Sequence, residues 1–325
     1  MPTTATDNAT STRECWVVTN GAAGNERQAL ALAGHMGLPI RTLTVQPRAP
    51  WSWLAPRRLR GSRLAFPPAL LMPPWPHLVI GCGRAAALYT RMLRLLSSGE
   101  SRVVQILDPR IDPRHWDLVV APQHDGLRGP NVLHPLGSLN PIDDDWLAAG
   151  RAAWSYFADL PAPRIGVLLG GPRHHAAADP AAARVLADAL LARHRREGGS
   201  LLLLASRRTT SEVFDLLHRA LAGIPGLHWR NEDDGPNPYP GALAWADRLV
   251  VTPDSVNMLS EACACGCPVH AQTPADLPPK LARLHAALRE RGLLHDLDAD
   301  ITATQPPLRE TAAIAAAVRA RLHRQ

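Results

Sequence analysis

Short apolar runs alternate with helix-favouring stretches along most of this chain, and the alternation begins twice. Runs such as Arg164–Leu169 and Ser200–Ala205 are apolar at nearly every position rather than at every second one. Strands with two apolar faces are typical of parallel sheets that are covered by helices on both sides. We therefore expect an α/β fold made of doubly wound parallel sheets.

The second series of strands begins after Pro161-Ala162-Pro163, which interrupts the pattern. At 325 residues the chain exceeds one ordinary core, so two domains are expected. We predict a disordered tail over 1–14, a first Rossmann-like domain over 15–158 and a second over 159–325. A last helix, at about 308–323, is expected to pack on one of the two. Ligands bind at the carboxyl ends of such strands, which predicts two facing domains with the site in the cleft between them.

Composition narrows the class of protein further. Hydrophobic residues make up 46% of the chain and charged residues 20%, as in soluble globular proteins. No apolar run approaches the roughly 20 residues of a membrane-spanning helix. The first 14 residues resemble neither a signal peptide nor a transit peptide, so we expect a cytoplasmic protein. The net charge is +6, but the 29 acidic residues are interspersed and no nucleic-acid-binding motif is recognised, so a nucleic-acid partner is not expected.

The most informative stretch is TPDSVNMLSEACACGC, residues 252–267. Thr252, Asp254 and Ser255 lie between a strand pattern and a helix pattern, where free backbone N–H groups bind anions. Glu261 follows on the same helix. Many sugar-nucleotide enzymes use such a cradle and carboxylate to hold a diphosphate and a ribose. The alternative is an ordinary strand–helix unit in which Asp254 or Ser255 only caps the helix.

Two other strand ends of the second half carry similar chemistry. Gly170, Gly171 and Arg173 follow its first strand, and these residue types suit a phosphate better than a metal. Ser206 and Arg207 follow the next strand, where hydroxyl and guanidinium groups can hold a diphosphate. Either loop alone could be a plain helix start. Three phosphate-competent loops in one half of the chain indicate a nucleotide site in the second domain.

Glycine-rich strand ends of the first half are further candidate ligand-binding loops. Gly21, Gly24 and Asn25 follow the first strand, and Gly83 and Arg84 follow the third. The glycines permit close backbone approach. The spacing differs from the G-x-G-x-x-G dinucleotide fingerprint, so a tight turn is the alternative.

Three side chains of the first half are candidate catalytic bases. Glu26 opens the first helix, and His124 and Asp125 follow the fifth strand. His124 and Asp125 could act as an acid/base pair. Adjacent residues on an extended loop tend to diverge, however, so at most one of them is expected to face a ligand. The sequence does not choose between Glu26 and the pair.

Cysteines 263, 265 and 267 lack the two-residue spacing of common metal sites and lie at a predicted helix end. We interpret them as reduced, buried thiols and expect no bound metal.

Residues 48–66 combine five arginines with Trp51, Trp53 and Phe66 and contain no acidic residue. Tryptophan favours the membrane interface, and arginine is attracted to anionic lipids. The segment could contact an anionic membrane surface beside a lipid-linked acceptor. Alternatively, it is a proline-broken excursion whose aromatic rings pack on the first domain.

Several motifs together carry a family resemblance. They are Asn20-Gly21-x-x-Gly24-Asn25-x-x-Gln28, Gly81-x-Gly83-Arg84, Asp108-Pro109-Arg110, Pro122-x-His124-Asp125, Gly137-x-Leu139-Asn140, Gly170-Gly171, Ser206-Arg207-Arg208-Thr209, Asn237-Pro238-Tyr239 and Thr252-x-Asp254-Ser255-Val256-Asn257-Met258-x-Ser260-Glu261-Ala262. This set resembles the mitochondrial-fission, elongated-mitochondria protein family, which includes many bacterial proteins. The resemblance covers about residues 16–270.

That family is similar to GT-B glycosyltransferases, which have two facing Rossmann-like domains and need no bound metal. The resemblance implies a nucleotide-sugar donor as substrate in the second domain, with no separate cofactor, and an acceptor in the first. Glu261 would accept hydrogen bonds from the ribose, and Ser255 and the N–H groups around it would meet the diphosphate. Gly170, Gly171 and Arg207 would line the donor pocket, with Asn257 as a further donor-site candidate. The acceptor side would include Gly21, Gly24, Asn25, Gly83 and Arg84. The plant branch is named for recruiting division machinery to mitochondria. A binding or scaffold role without turnover is therefore the alternative to glycosyl transfer.

Overall fold

The computed structural model describes residues 11–171, 180–274 and 276–323. The strands are β1 Ser11–Thr19, β2 Ile40–Thr44, β3 Trp75–Cys82, β4 Arg102–Ile106, β5 Leu118–Val120, β6 Val132–Leu133, β7 Arg164–Leu169, β8 Ser200–Ala205, β9 Gly226–Trp229, β10 Arg248–Val251, β11 Val269–Ala271 and β12 His295–Asp296. The helices are α1 Ala23–Gly34, α2 Trp51–Leu54, α3 Arg84–Leu96, α4 Asp144–Ala153, α5 Pro180–Glu197, α6 Ser211–Leu221, α7 Tyr239–Trp245, α8 Val256–Cys263, α9 Pro279–Glu290 and α10 Thr311–Leu322.

The chain forms two compact units, and each contains one six-stranded parallel sheet. The first unit comprises residues 1–141 and 310–325, with strand order β2-β1-β3-β4-β5-β6. The second comprises residues 142–309, with strand order β12-β11-β10-β7-β8-β9. The α/β class predicted from the apolar runs is confirmed.

Alternate strand residues of the first sheet enter different cores. On β1, Trp16 and Val18 belong to a cluster that includes Leu88 and Leu93 of α3. Val17 points to the opposite face, into a cluster that includes residues of α1 and α10. A strand apolar on both faces is thus explained by helices on both sides of the sheet.

The domain limits differ from those inferred from sequence. Residues 142–158 belong to the second unit because α4 packs closely against α7, where a Cβ on Gly150 would lie 2.8 Å from the Pro240 carbonyl oxygen. Helix α10 belongs to the first unit: the Glu310 carboxylate accepts hydrogen bonds from the backbone N–H groups of Leu136 and Gly137, at 2.9 to 3.0 Å.

The predicted tail over 1–14 also differs from the structure at its end. Residues 11–14 are part of β1, and Ser11 pairs with Trp75 of β3. The polar composition of this stretch hides the strand, because its partners lie in a distant part of the chain. Residues 1–10 lie outside the described residues.

Candidate functional site

The second sheet brings the three predicted phosphate loops side by side. Its chain runs from β7 to β8 and β9 and then returns to β10 on the other side of β7. This reversal is a topological switch point, where ligands of open α/β sheets bind. The loops that follow β10, β7 and β8 are therefore neighbours, although 82 residues separate Gly170 from Thr252 in the sequence.

Side-chain oxygens of the β10 loop bind the backbone of the β7 loop. The Gly170 N–H donates to Thr252 Oγ1 at 2.7 Å, and the Gly171 N–H donates to Asp254 Oδ2 at 2.7 Å. A Cβ on Gly170 would lie 2.5 Å from the Asp254 carboxylate. Glycine is therefore needed here, because a side chain would collide with the Asp254 carboxylate. Because the Asp254 carboxylate accepts the Gly171 N–H, this amide donor of the loop is already used.

The β8 loop is fixed by the Thr209 hydroxyl. Its oxygen lies 2.8 Å from the Leu169 carbonyl oxygen and 2.6 Å from that of Gly170. The same hydroxyl accepts the Ser206 N–H at 2.8 Å. Ser206 therefore helps to shape the loop, and its own hydroxyl accepts the Arg208 N–H at 3.2 Å.

Arg208, rather than its neighbour Arg207, reaches the β10 loop. Arg208 Nη2 lies 3.4 Å from Ser255 Oγ and 3.9 Å from Asp254 Oδ2. Its Nη1 atom is buried without a hydrogen-bond partner in the described part of the chain. The Arg207 side chain is exposed. A guanidinium group with an unused buried donor is suited to an anion that arrives from outside the protein.

Ser255 caps α8, and the helix carries the predicted carboxylate. The Ser255 hydroxyl accepts the Met258 N–H at 3.4 Å. Glu261 lies one and a half turns along the helix and has only 3% of its surface exposed. The Tyr239 hydroxyl, at the start of α7, donates a short hydrogen bond to Glu261 Oε2. Asn257 is half-buried on the first turn of α8.

A buried histidine forms a hydrogen bond with the backbone of the β10 loop. His285 of α9 is 2% exposed, and its Nε2 lies 3.0 Å from the Pro253 carbonyl oxygen. Burial lowers the pKa of His285, the Pro253 carbonyl opposes that shift, and the charge of Arg289 adds to it. The neutral ring therefore donates to the loop through Nε2.

The remaining predicted donor-side residue, Arg173, lies outside the described residues, as do the neighbouring histidines 174 and 175. Beside the three loops the described chain forms a cavity of about 220 Å³. Its wall is largely apolar, from Leu186, Val213 and Leu217, and Thr209 and Thr252 stand at its edge.

The predicted acceptor-side residues meet at the switch point of the first sheet, between β1 and β3. The Asn25 side chain donates to Asn20 Oδ1 at 3.0 Å, and a Cβ on Gly83 would lie 2.6 Å from Asn25 Nδ2. Gly21 has a φ of +79°, and the Gly24 carbonyl accepts the Gln28 side chain at 3.2 Å. Glycine is thus required at positions 21 and 83 for conformation and space.

Arg84 has a contact that its motif did not reveal. Its Nη2 donates to the carbonyl oxygens of Ser52 and Trp53, at 3.1 and 2.8 Å. It therefore ties the 48–66 segment to the start of α3. Trp51 and Phe66 of that segment pack on the first core, as the second interpretation expected, whereas Trp53 is 74% exposed.

The expectation that His124 and Asp125 diverge is wrong. Both lie in a single 3-10 turn, Gln123–Asp125, rather than on an extended loop, and His124 Nε2 lies 3.8 Å from Asp125 Oδ1. Each side chain is 2% exposed. The Asp125 carboxylate also accepts the Asp108 N–H at 3.3 Å. Glu26 lies in the first turn of α1 and is half-buried.

Two features bear on metals and membranes. Across the described ranges, no group of three or more histidine, cysteine or acidic side chains is arranged to hold a metal ion. Burial raises the pKa of the Cys263 and Cys267 thiols to about 12.

Among the described residues, no helix has both the length and the apolar character needed to cross a membrane.

Sequence reasoning missed two residues of this site. Arg208 was part of a recognised motif, but the pattern does not say which of two adjacent arginines faces the loop. Tyr239 belonged to Asn237-Pro238-Tyr239, which had no assigned role. Pro240, in the first turn of α7, was a signal for a helix that starts here, but no local signal links Tyr239 to Glu261.

Solved structures share the fold at low sequence identity. The UDP-GlcNAc 2-epimerase of Methanocaldococcus jannaschii is 10% identical, with a TM-score of 0.58 over 95% of this chain and 99% of that one. The same enzyme of Neisseria meningitidis, bound to UDP-GlcNAc, is 11% identical, with a TM-score of 0.52 over 96% and 100%. Os79 of O. sativa, in complex with UDP, is 10% identical, with a TM-score of 0.52 over 94% and 90%. These likenesses confirm the GT-B-like fold class.

A relative is recognisable from sequence as well. Mitochondrial fission protein ELM1 of Arabidopsis thaliana is 33% identical over 276 residues, which cover 76% of this chain. The match spans 64% of that relative's length. The family model described as Mitochondrial fission ELM1 matches residues 23–322. The chain belongs to the mitochondrial fission ELM1 family.

Proposed function

We propose that the second unit binds a nucleotide sugar and that the protein is a GT-B-type glycosyltransferase that needs no bound metal. The observation that carries this proposal is the joining of three polar loops at one switch point, with Arg208 against Asp254 and Ser255 and a buried Glu261 on the helix that follows. The UDP and UDP-GlcNAc bound by fold relatives support this choice of ligand.

In the proposed reaction, an acceptor hydroxyl attacks the anomeric carbon of the donor sugar. A C–O bond forms to the acceptor, and the bond to the nucleoside diphosphate breaks. Arg208 and the N-terminus of α8 would stabilise the charge that develops on the leaving diphosphate. Glu26 or the His124–Asp125 pair would accept the hydroxyl proton. Because His124 and Asp125 are buried, Glu26 is favoured over this pair as the proton acceptor.

For the acceptor we propose a glycolipid or another cell-envelope molecule at the inner face of the cytoplasmic membrane. Residues 48–66 would contact that surface. The exposed Trp53 and the arginines of this segment support the contact.

A second candidate function is binding or scaffolding without turnover. The family to which the chain belongs is named for mitochondrial fission rather than for an enzyme activity. The buried His124–Asp125 pair and the Asp254 carboxylate bound to the Gly171 amide favour a site that does not turn over.

Titration calorimetry with UDP, UDP-GlcNAc and other nucleotide sugars tests the donor site. Glu261→Gln should weaken ribonucleotide binding about tenfold, because hydrogen bonds to a charged group each contribute about 1.5–3 kcal/mol. The exposed Glu290, also in the second unit, provides the control Glu290→Gln. If no nucleotide binds the wild-type protein, the donor proposal fails. If nucleotides bind but no sugar is transferred or hydrolysed, the scaffold function is favoured.

A further inference from the structure

The arm between β2 and β3, residues 48–72, lies in an extensive basic region of the sequence. Although acidic residues are interspersed over most of the chain, none occurs between Glu26 and Glu100. The same span holds ten arginines: Arg27, Arg41, Arg48, Arg57, Arg58, Arg60, Arg63, Arg84, Arg91 and Arg94. Of these, Arg48, Arg57, Arg58, Arg60 and Arg63 lie on the arm with exposed side chains.

The arm also concentrates exposed apolar side chains. Eleven large hydrophobic residues are exposed in the described part of the chain, and six of them belong to the arm or to the neighbouring end of α3. These six are Trp53, Leu54, Leu59, Leu64, Met72 and Leu95. Exposed apolar patches of this kind mark interaction surfaces in soluble proteins.

The exposure comes from a fixed conformation rather than from a loose loop. Arg84 holds the carbonyls of Ser52 and Trp53, and Arg91 Nη1 donates to the Pro56 carbonyl at 3.3 Å. Phe66 contacts the Tyr89 ring edge-on at a centroid distance of 5.3 Å. These contacts hold the backbone of the arm against α3, while its exposed side chains remain in solvent.

A groove of about 700 Å³ lies between the arm and α3. Arg58, Arg60 and Arg63 line one side, and Met92, Leu95 and Leu96 line the other. A cationic wall that faces an apolar wall complements a ligand with an anionic head and a hydrocarbon body.

Among the described residues, no acidic side chain neutralises the positive charge at the groove. None of the acidic side chains in the described ranges forms an ion pair with Arg58, Arg60 or Arg63. Burial and the positive charge of Arg58 lower the pKa of Arg91, whose buried Nε lacks a hydrogen-bond partner among the described residues. A bound anion would relieve this repulsion.

We propose that this groove binds the phosphate headgroup of an anionic phospholipid at a bilayer surface, with Trp53, Leu64 and Met72 entering the interface. The proposal deepens the membrane contact suggested for residues 48–66 and does not depend on donor binding. The arginines would grip the phosphate in a bidentate manner, and tryptophan and leucine would rest among the upper acyl carbons.

Vesicle co-sedimentation of the full chain tests the proposal. We expect binding to vesicles that contain phosphatidylglycerol and none to pure phosphatidylcholine. Replacing Arg58, Arg60 and Arg63 with Gln should lower the partition coefficient about a hundredfold. The matched control carries the same three Arg→Gln changes at Arg195, Arg219 and Arg291, which are exposed in the second unit. This control should bind almost as well as the wild type.

Each alternative result has a separate meaning. Equal loss in both triple variants would indicate attraction by net charge and would overturn the groove. Displacement by inorganic phosphate, but not by chloride at equal ionic strength, would indicate a site for free anions and would overturn lipid binding. A variant that keeps the charge, Leu64→Ser with Leu95→Ser, should bind less tightly; unchanged binding would overturn the apolar contact. If the wild type binds no vesicle, the membrane contact fails as a whole, while nucleotide titration judges the donor site independently.

Discussion

Arg207 and Arg208 are adjacent in sequence, yet only Arg208 turns toward the loop after β10. Its guanidinium group lies near both Asp254 and Ser255 and keeps one buried nitrogen without a partner in the described chain. A diphosphate at this point would complete the hydrogen bonding of Arg208 and would compete with Asp254 for it.

We therefore predict that Arg208→Gln weakens nucleotide-diphosphate binding more than Arg207→Gln does. Loss of a charge-assisted hydrogen bond should reduce affinity about tenfold or more for Arg208, whereas the exposed Arg207 should matter by less than about threefold. Calorimetric titration of both variants measures the difference. Equal effects would mean that the phosphates approach from the side of Arg207, as the sequence motif alone allowed.

Tyr239 contacts Glu261, the residue proposed to bind the ribose of the nucleotide. Its hydroxyl holds one carboxylate oxygen of a side chain that is almost fully buried. We expect the bond to hold the carboxylate in one orientation and so to fix the direction of its second oxygen. This gives the Asn237-Pro238-Tyr239 motif a physical role.

Tyr239→Phe should reduce the preference of the protein for UDP over 2′-deoxy-UDP, about tenfold at most. A merely structural role would weaken both ligands equally and leave the ratio unchanged. The ratio of the two dissociation constants, from competition titration, distinguishes these cases. Tyr156, which is exposed and distant in sequence, supplies the control Tyr156→Phe.

These residues show what the sequence could predict and what it could not. Gly170, Thr252 and Ser255 were predicted at strand ends, and the structure places them there, because glycine and small hydroxyl residues at such positions have a local physical meaning. Arg208 and Tyr239 depend on contacts with residues 47 and 22 positions away. Local patterns carry no record of such contacts, so only the fold could reveal them.

At the scale of secondary-structure elements, strands were easier to predict than helix partners. Arg164–Leu169, Ser200–Ala205 and Arg248–Val251 match the apolar runs residue for residue. Helix α4 was not predicted, and neither was its contact with α7. Their contact depends on two glycines: Gly150 against Pro240, and Gly241, where a Cβ would overlap the Trp154 ring. A glycine inside a helix pattern does not indicate which other helix it contacts.

Gly150→Ala should therefore destabilise the second unit by about 1–3 kcal/mol, because the added methyl group has no room between α4 and α7. Gly223→Ala is the matched control, since a Cβ there meets nothing within 4 Å. It should be neutral or slightly stabilising. Urea unfolding of both variants gives the comparison. Equal stability of the two would contradict the close contact.

At the scale of the whole molecule, the chain passes between its two units twice, near residues 141 and 309. The sequence suggested one domain boundary, near Pro161, because proline and alanine residues there are typical of a linker. That stretch is instead internal to the second unit: Ser200 Oγ donates to the Pro161 carbonyl oxygen at 2.8 Å. Composition alone cannot separate a linker from a tight internal connection.

This architecture predicts which segments fold by themselves. Residues 142–309 contain the complete second sheet, α4, and the stretch before α10, in which the Leu308 N–H donates to the Cys263 carbonyl oxygen at 2.9 Å. A protein of 142–309 should unfold cooperatively and keep any nucleotide binding of the full chain. One of 159–309 lacks α4, leaves α7 uncovered and should melt at a lower temperature or aggregate.

Circular dichroism during heating, together with nucleotide titration, compares the two segments directly. Residues 159–325, the domain inferred from sequence, should do no better than 159–309, because the apolar face of α10 packs on the first unit through Ala315 and Val318. Each buried apolar side chain exposed by these cuts removes about 1.5–3 kcal/mol, and a unit of this size has few such losses to spare. Equal melting of 142–309 and 159–309 would show that α4 is dispensable and that the sequence boundary describes the folding unit better.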